Sequence, residues 1–200
     1  MKSVLISIQP KWCELIASGE KIVEVRKTKP KIETPFKVYI YATKGEALWK
    51  IRKRPILIVP TYDNRQYVAE NEYYSVDEVQ GKVIGEFVCD QIDEIGYSPE
   101  MHGKYISDID DIHYVSCLDF EQMYDYLADG YGYAWHISDL VIYDKPKELG
   151  EFYPYCDGEC TGCKYLEWVE QYQSDTCTKT RLTRPPQSWC YVERLKGEIE

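Results

Sequence analysis

SVLISIQPKWCELIASGEKIVEVRK, residues 3–27, is the stretch that decides the fold of this chain. Apolar side chains share one face over residues 4–8, which predicts a half-buried strand. Pro10 suits the first turn of a helix, because its missing N–H would be unpaired there in any case. Gly19 can take the positive φ that often follows a helix. Apolar and charged residues then alternate over residues 23–26, so the stretch predicts a strand, a short helix and a second strand.

The second strand carries a charged cluster of Glu20, Lys21, Glu24, Arg26 and Lys27. Lys21 and Arg26 can bind an anion, and Glu24 can accept hydrogen bonds from a base edge or an amine. The alternative is a solvated edge strand whose charges prevent pairing with another sheet. Composition alone favours this second interpretation.

Three stretches resemble the ASCH domain, a branch of the PUA-like superfamily. The first joins S-I-Q-P-K-W at residues 7–12 to G-E-K-x-x-E-x-R-K at residues 19–27. The others are A-W-H-I-S at residues 134–138 with D-K-P at residues 144–146, and R-P-P-Q-S-W-C-Y-V at residues 184–192. The resemblance implies an α+β fold that is mainly β, a PUA-like small β-barrel with short peripheral helices.

The resemblance also implies one ASCH/PUA-like domain over residues 1–200, with its final strand beside the first. It implies an RNA-binding function in which a basic cleft reads a flipped or single-stranded base of RNA or a modified nucleoside. Four cations are expected to contact phosphate: Lys11, Lys21, Arg26 and Lys27. Three side chains are candidates for the base edge: Glu24, Gln187 and Ser188. Trp12 is expected either to line the pocket or to fill the core.

A hydrolase is the alternative that the same resemblance raises. Some compact ASCH proteins hydrolyse the amide of N4-acetylcytidine with a lysine, a threonine nucleophile three residues later and a distant glutamate. Lys21 matches the lysine, but Glu24 stands at the threonine position and is no hydroxyl nucleophile. Lys21 and Glu24 stay candidates for acid/base catalysis on a water, in an amidohydrolase for acylated nucleosides or in a ribonuclease.

Charge is distributed unevenly along the 200 residues, whose net charge is −10. That total argues against generic coating of nucleic acid, which needs neutralisation of phosphates. Residues 1–60 nevertheless hold 13 Lys and Arg against 5 Asp and Glu. The basic segment can face an anionic partner, or the two parts can neutralise each other. The acidic remainder allows a third interpretation, a protein-interaction adaptor.

Residues 150–178 are expected to form an inserted Cys-rich module, knuckle-like, within the domain. Cys156, Cys160, Cys163 and Cys177 have the spacing C-x3-C-x2-C-x13-C. Four thiolates match the closed tetrahedral shell of structural zinc, with free thiols or an iron–sulfur cluster as alternatives. A helix-like stretch over residues 165–172 is expected to pack beside the metal.

No apolar run approaches transmembrane length, and no signal peptide is recognised. We therefore expect no membrane partner and a cytoplasmic location, where cysteines are thiols or metal ligands rather than disulfides.

The remaining chain predicts mostly strands. Strong strand patterns cover residues 36–42, 82–95 and 134–143. Gly85 is expected to mark a bulge in the second of these. Asp119 is expected to cap a helix that ends near Gly130, which completes the set of elements.

Overall fold

A computed structural model describes twelve parts of the chain: residues 2–45, 51–52, 59–60, 66–67, 73–74, 79–98, 104–106, 109, 111–128, 130–156, 166–169 and 174–195. The first part contains β1 (Lys2–Ile8), α1 (Pro10–Ala17), β2 (Val23–Arg26) and β3 (Phe36–Ala42). Two-residue strands follow: β4 (Ile51–Arg52), β5 (Val59–Pro60), β6 (Gln66–Tyr67) and β7 (Tyr73–Tyr74).

The middle of the chain contains β8 (Lys82–Cys89), β9 (Ile92–Ser98), β10 (Lys104–Ile106), α2 (Ile112–Ser116) and α3 (Phe120–Leu127). The last part contains β11 (Tyr131–His136), β12 (Ser138–Glu148), a 3-10 turn (Leu149–Glu151), β13 (Leu166–Val169), β14 (Ser174–Cys177) and β15 (Trp189–Glu193). No helix in the described residues is long and apolar enough to cross a membrane.

The strands form a mainly β fold built on two larger sheets. The five-stranded sheet has the order β12-β8-β3-β1-β15, and the four-stranded sheet has the order β10-β9-β11-β2. β1 pairs in parallel with β3 and antiparallel with β15, so the predicted pairing of first and final strands is confirmed. Strand pairing among the described residues keeps these two larger sheets separate and adds three two-stranded sheets, β4-β7, β5-β6 and β13-β14, so a closed barrel stays a prediction.

β1 is buried on both faces, whereas its pattern predicts a half-buried strand. Val4 and Ile6 pack into one core cluster, together with side chains from β3 and β8. Leu5 points into a second cluster on the opposite face, where Phe152 and Val192 cover it. The prediction was wrong because the chain after β12 folds back over the face that was expected to meet solvent.

Two predicted strands are each divided in the structure. The pattern over residues 82–95 breaks at Asp90 and Gln91 into β8 and β9, and the pattern over residues 134–143 breaks at Ile137 into β11 and β12. At both breaks the chain passes from one larger sheet to the other. Neither break carries a glycine or proline, so the sequence gives no turn signal there.

The predicted bulge at Gly85 is confirmed. The register between β3 and β8 shifts after the pair Ile40–Gly85. A Cβ atom added to Gly85 would lie 2.4 Å from the backbone oxygen of Val141. The site therefore needs a residue without a side chain, since the backbone of β12 approaches so closely.

The ends of two helices follow their sequence signals. α1 begins at Pro10, and Gly19 has a φ of 78° just beyond it. Asp119 caps α3: its carboxylate accepts from the Gln122 N–H at 2.8 Å, and the Gln122 side chain accepts from the Asp119 N–H at 3.2 Å. This reciprocal capping fixes the start of the helix that covers the cavity described below.

The helix-like prediction for residues 165–172 was wrong. Residues 166–169 form β13, which pairs antiparallel with β14 from Leu166 opposite Cys177 to Val169 opposite Ser174. Cross-strand pairing is a non-local interaction that a helical pattern of apolar residues does not reveal.

Candidate functional site

A cavity of about 640 Å³ opens between β2, α3 and the end of β1. Six of the eight residues predicted from the sequence to bind nucleic acid line it: Trp12, Lys21, Glu24, Arg26, Gln187 and Ser188. They come from three separate parts of the chain, which the pairing of β15 with β1 brings together.

The other two predicted residues, Lys11 and Lys27, do not line the cavity but lie over aromatic rings that do. Lys11 Nζ is 4.0 Å from the centre of the Trp12 ring. Lys27 Nζ is 5.3 Å from the centre of the Tyr126 ring, and Tyr126 lines the cavity. Both ammonium groups therefore contact aromatic walls without lining the interior.

The inner wall of the cavity is a buried charge cluster. Glu24 Oε1 lies 2.9 Å from Arg26 Nη2, and Glu24 Oε2 lies 3.4 Å from Lys21 Nζ. Lys21, Glu24 and Arg26 are 2%, 6% and 8% exposed. Glu24 and Arg26 share one face of β2, because side chains two residues apart in a strand point the same way.

Lys21 is held by the end of α2. Its Nζ donates to the Ser116 carbonyl at 2.5 Å, and the neighbouring Ile22 N–H donates to the Val115 carbonyl at 3.0 Å. Carbonyl groups in the last turn of a helix have no partner within the helix, so they are available to bind this ammonium.

Arg26 connects β2 to the end of β1. Its Nη2 donates to the Ser7 carbonyl at 2.7 Å, and its Nη1 donates to Ser188 Oγ at 3.5 Å. The Ser7 N–H in turn donates to the Ser188 carbonyl at 2.9 Å. The guanidinium therefore fixes the wall of the cavity against the segment that leads into β15.

Two buried polar atoms of this cluster lack a hydrogen-bond partner among the described residues. They are Glu24 Oε2 and Arg26 Nε, an acceptor and a donor. Leaving a buried polar atom without a hydrogen bond costs about 1–3 kcal/mol. The Lys21 ammonium, 3.4 Å from Glu24 Oε2, offsets part of this cost for Glu24. Both residues line the cavity, so a ligand with matching polar groups can remove this cost.

Trp12 both lines the cavity and packs against the core, the two roles that its sequence position allows. It is half-buried, packs against two of the core clusters and also lines the cavity. Lys21 Nζ lies 5.4 Å from the centre of its ring. The indole is therefore an aromatic wall held in place by the core.

The sequence prediction missed the residues that α3 and β3 bring to the cavity: Thr43, Gln122, Asp125 and Tyr126. The three from α3 have helical spacing and lie away from its buried residues Met123 and Leu127. That polar and aromatic face is visible in the sequence once the helix is recognised. The position of this face over β2 depends on tertiary packing and is not visible in the sequence.

The predicted zinc ligands are only partly within the described residues. Cys156 is half-buried and Cys177 is exposed, while Cys160 and Cys163 lie outside the described parts. Within those parts, no group of three or more His, Cys, Asp or Glu residues could hold a metal ion.

Lys179 interacts electrostatically with both described cysteines. The pKa of Lys179 is raised, first by its hydrogen bond to Glu193 and further by Cys156 and Cys177. Both sulfur atoms therefore lie within electrostatic reach of one ammonium group, although they are 21 positions apart in the sequence.

The chain was compared with known proteins and with a family model. The chain is similar to the crystal structure of ASCH from Zymomonas mobilis, with 15% identity, a TM-score of 0.47 and coverage of 96% of this chain and 88% of that chain. A Tyr-to-Phe mutant of the Zymomonas mobilis protein gives 16% identity, a TM-score of 0.47 and coverage of 97% and 92%. No curated protein matches the chain. The family model of the ASCH domain matches residues 6–193, and the chain therefore belongs to the ASCH domain family.

Proposed function

We propose that this protein is an RNA-binding module whose cavity receives one nucleobase. The ASCH domain is PUA-like and is often associated with RNA. The observation that carries the proposal is that Glu24 Oε2 and Arg26 Nε, both buried and both on lining residues, have no hydrogen-bond partner among the described residues.

The charges that line the cavity suit a neutral ligand. Lys21 and Arg26 are positive, and Glu24 and Asp125 are negative, so these four formal charges cancel. Lys21 and Arg26 are also held by Glu24, so a phosphate would have to compete with a carboxylate already in place. We therefore assign these two cations to the base pocket, and the phosphate contacts to lysines outside it.

A nucleobase supplies the groups that the cavity leaves unpaired. Each base edge presents an N–H donor, a carbonyl or ring-nitrogen acceptor, or both side by side. An amino group can donate to Glu24 Oε2, and an adjacent acceptor can receive from Arg26. Gln187 is exposed at the mouth of the cavity and can bind a second edge of the same base.

Size and walls of the cavity also fit a nucleotide. Its volume of about 640 Å³ lies within the range of roughly 300–1,000 Å³ that is usual for small-molecule sites. Trp12 and Tyr126 supply aromatic rings, and stacking on such rings contributes about 1–3 kcal/mol per base.

Titration of the purified protein with short single-stranded RNA and with the four nucleoside monophosphates tests the proposal. We expect saturable binding that Gln187→Ala weakens and that Glu24→Gln weakens more, while Glu20→Gln, an exposed carboxylate outside the cavity, has no effect. Gln187→Ala does not touch the buried cluster, so it separates a binding defect from a folding defect. Wild-type protein that binds none of these ligands would refute the proposal.

Hydrolysis of a modified nucleoside or of RNA is the second candidate. It is favoured by Glu24 Oε2, which accepts no hydrogen bond within the described residues and lies 3.4 Å from an ammonium. This oxygen can act as a base toward a water. Mass spectrometry of the ligand after the titration distinguishes the two, because an RNA reader returns its ligand unchanged. If nothing binds or reacts, an adaptor for protein partners becomes the better hypothesis.

We further propose that Cys156, Cys160, Cys163 and Cys177 bind a structural zinc ion in a reducing, cytoplasmic compartment. Support comes from their spacing, C-x3-C-x2-C-x13-C. Zinc binding would supply folding free energy to residues 150–178, the proposed insert.

A further inference from the structure

The segment after β2 carries three exposed lysines away from the cavity, and its far end reaches β15. The segment after β2 runs beside this strand: Trp189 Nε1 donates to Thr28 Oγ1 at 3.0 Å, and the Lys31 N–H donates to Tyr191 Oη at 2.5 Å. Ser188, which lines the cavity, directly precedes β15. The surface beside these contacts is therefore continuous with the cavity mouth.

The lysine row consists of Lys27, Lys29, Lys31 and Lys2. Three of its ammonium groups lie over tyrosine rings: Lys27 over Tyr126 at 5.3 Å from the ring centre, Lys29 over Tyr133 at 4.9 Å and Lys2 over Tyr191 at 3.8 Å. A ring face attracts an ammonium without neutralising its charge. These cations therefore stay available to an anion.

Within the described parts of the chain, one ion pair involves a lysine of this row, and Glu193, which lies opposite Lys2 on β15, is paired with Lys179. Lys29 Nζ lies 3.3 Å from Glu94 in an ion pair whose side chains are 45% and 73% exposed. Such exposed pairs contribute about 0–1 kcal/mol. Phosphate can replace this partner at little cost, so the row presents net positive charge beside a cavity whose own charges cancel.

We propose that the lysine row binds the phosphates of a single-stranded RNA whose base occupies the cavity, so that the ligand is a polynucleotide rather than a free nucleoside. This inference rests on the proposed function. Positive charge outside the cavity and a neutral interior match the division of a nucleotide chain into charged backbone and neutral bases. The net charge of −10 over the whole chain repels RNA from other surfaces and favours this one.

The test replaces Lys2, Lys29 and Lys31 together with glutamine, which keeps much of each apolar stem and removes the charge. These three lysines do not line the cavity. Each phosphate contact to single-stranded RNA contributes about −0.7 to the slope of log K against log salt. We expect the triple variant to lose about 2 from that slope and to bind short single-stranded RNA roughly 10- to 100-fold more weakly at about 0.1 M salt.

The matched control removes three lysines from the opposite edge of the five-stranded sheet: Lys82, Lys145 and Lys147. They lie on β8 and β12, and Lys147 Nζ is also over a tyrosine ring, at 4.8 Å from the centre of Tyr143. We expect this control to bind RNA as the wild type does, and both variants to bind nucleoside monophosphates unchanged.

Three other outcomes are distinguishable. In the first, the wild type and the lysine-row variant bind RNA equally while monophosphate binding stays intact. That result would refute the role of the lysine row and would still support the base pocket. RNA binding that depends on the lysine row but not on Glu24 or Gln187 overturns the base pocket and leaves a nonspecific polyanion surface. Absence of all binding by the wild type overturns both.

Discussion

Removing the charge of Glu24 and removing the charge of Lys21 should have unequal effects on stability, although the two side chains form one ion pair. The buried cluster holds two cations and one carboxylate. Glu24→Gln leaves two buried cations without compensation, whereas Lys21→Met leaves the Glu24–Arg26 pair balanced. The asymmetry follows from the arrangement of three charges rather than two.

The distances from Glu24 to Lys21 and Arg26 set the size of the electrostatic attraction. With an effective dielectric constant of about 20, Glu24 attracts Lys21 by about 5 kcal/mol and Arg26 by about 6 kcal/mol at the observed separations of 3.4 and 2.9 Å. Desolvation opposes much of this attraction, and loss of one member of a buried pair costs about 3–5 kcal/mol in practice. We expect that loss for Glu24→Gln. For Lys21→Met we expect about 1–2 kcal/mol, mainly from the Ser116 carbonyl that loses its donor.

Urea unfolding followed by fluorescence measures both variants, and Glu20→Gln is the control. Glu20 is exposed and accepts a hydrogen bond from Ser18 Oγ at 2.8 Å, so its substitution should change the free energy of unfolding by less than about 0.5 kcal/mol. Added phosphate should stabilise Glu24→Gln more than the wild type. Equal losses for Glu24→Gln and Lys21→Met, or a larger loss for Lys21→Met, would refute the reasoning.

Four further results are expected. Gly85→Ala should lower the free energy of unfolding by about 2–4 kcal/mol in thermal unfolding, because the new Cβ atom meets a backbone oxygen of β12. Gly150→Ala, whose new Cβ atom would have no other atom within 4 Å, should be near neutral. Equal effects of the two substitutions would contradict this account. Asp119→Ala should cost about 1 kcal/mol in urea unfolding through loss of the cap on α3, and no change would mean that the cap is dispensable. Cys89, whose pKa burial raises to about 12, should resist alkylation near pH 8 until the protein unfolds. If zinc is bound, the exposed Cys177 should react in mass-spectrometric mapping only after a chelator is added, and rapid labelling of the metal-loaded protein would count against the zinc site.

The elements near the start of the chain could be predicted because local signals agree there. Pro10 and Gly19 mark both ends of α1, and the alternation over residues 23–26 matches β2. Asp119 likewise marks the start of α3 through its capping pattern. In each case the interaction that decides the structure lies within a few residues in the sequence.

The arrangement of the cavity could not be predicted in the same way. The sequence places Glu24 and Arg26 on one strand face, but it does not show that the Ser116 carbonyl holds Lys21 or that Tyr126 closes the opposite wall. These contacts join segments about 100 residues apart. The site residues in and around β2 and those just before β15 were found because the resemblance to ASCH domains connects them, whereas composition alone favoured a solvated edge strand.

The pairing of β1 with β15 also has a consequence for synthesis on the ribosome. The Ser7 N–H bonds the Ser188 carbonyl, and Arg26 reaches the Ser188 hydroxyl, so one wall of the cavity requires residues made more than 160 positions after the other. Until residue 193 has left the exit tunnel, the backbone N–H and C=O groups on one edge of the hydrophobic strand β1 have no partner strand. A nascent chain therefore has no complete cavity, and for that interval its exposed strand edge is a target for chaperones and for aggregation.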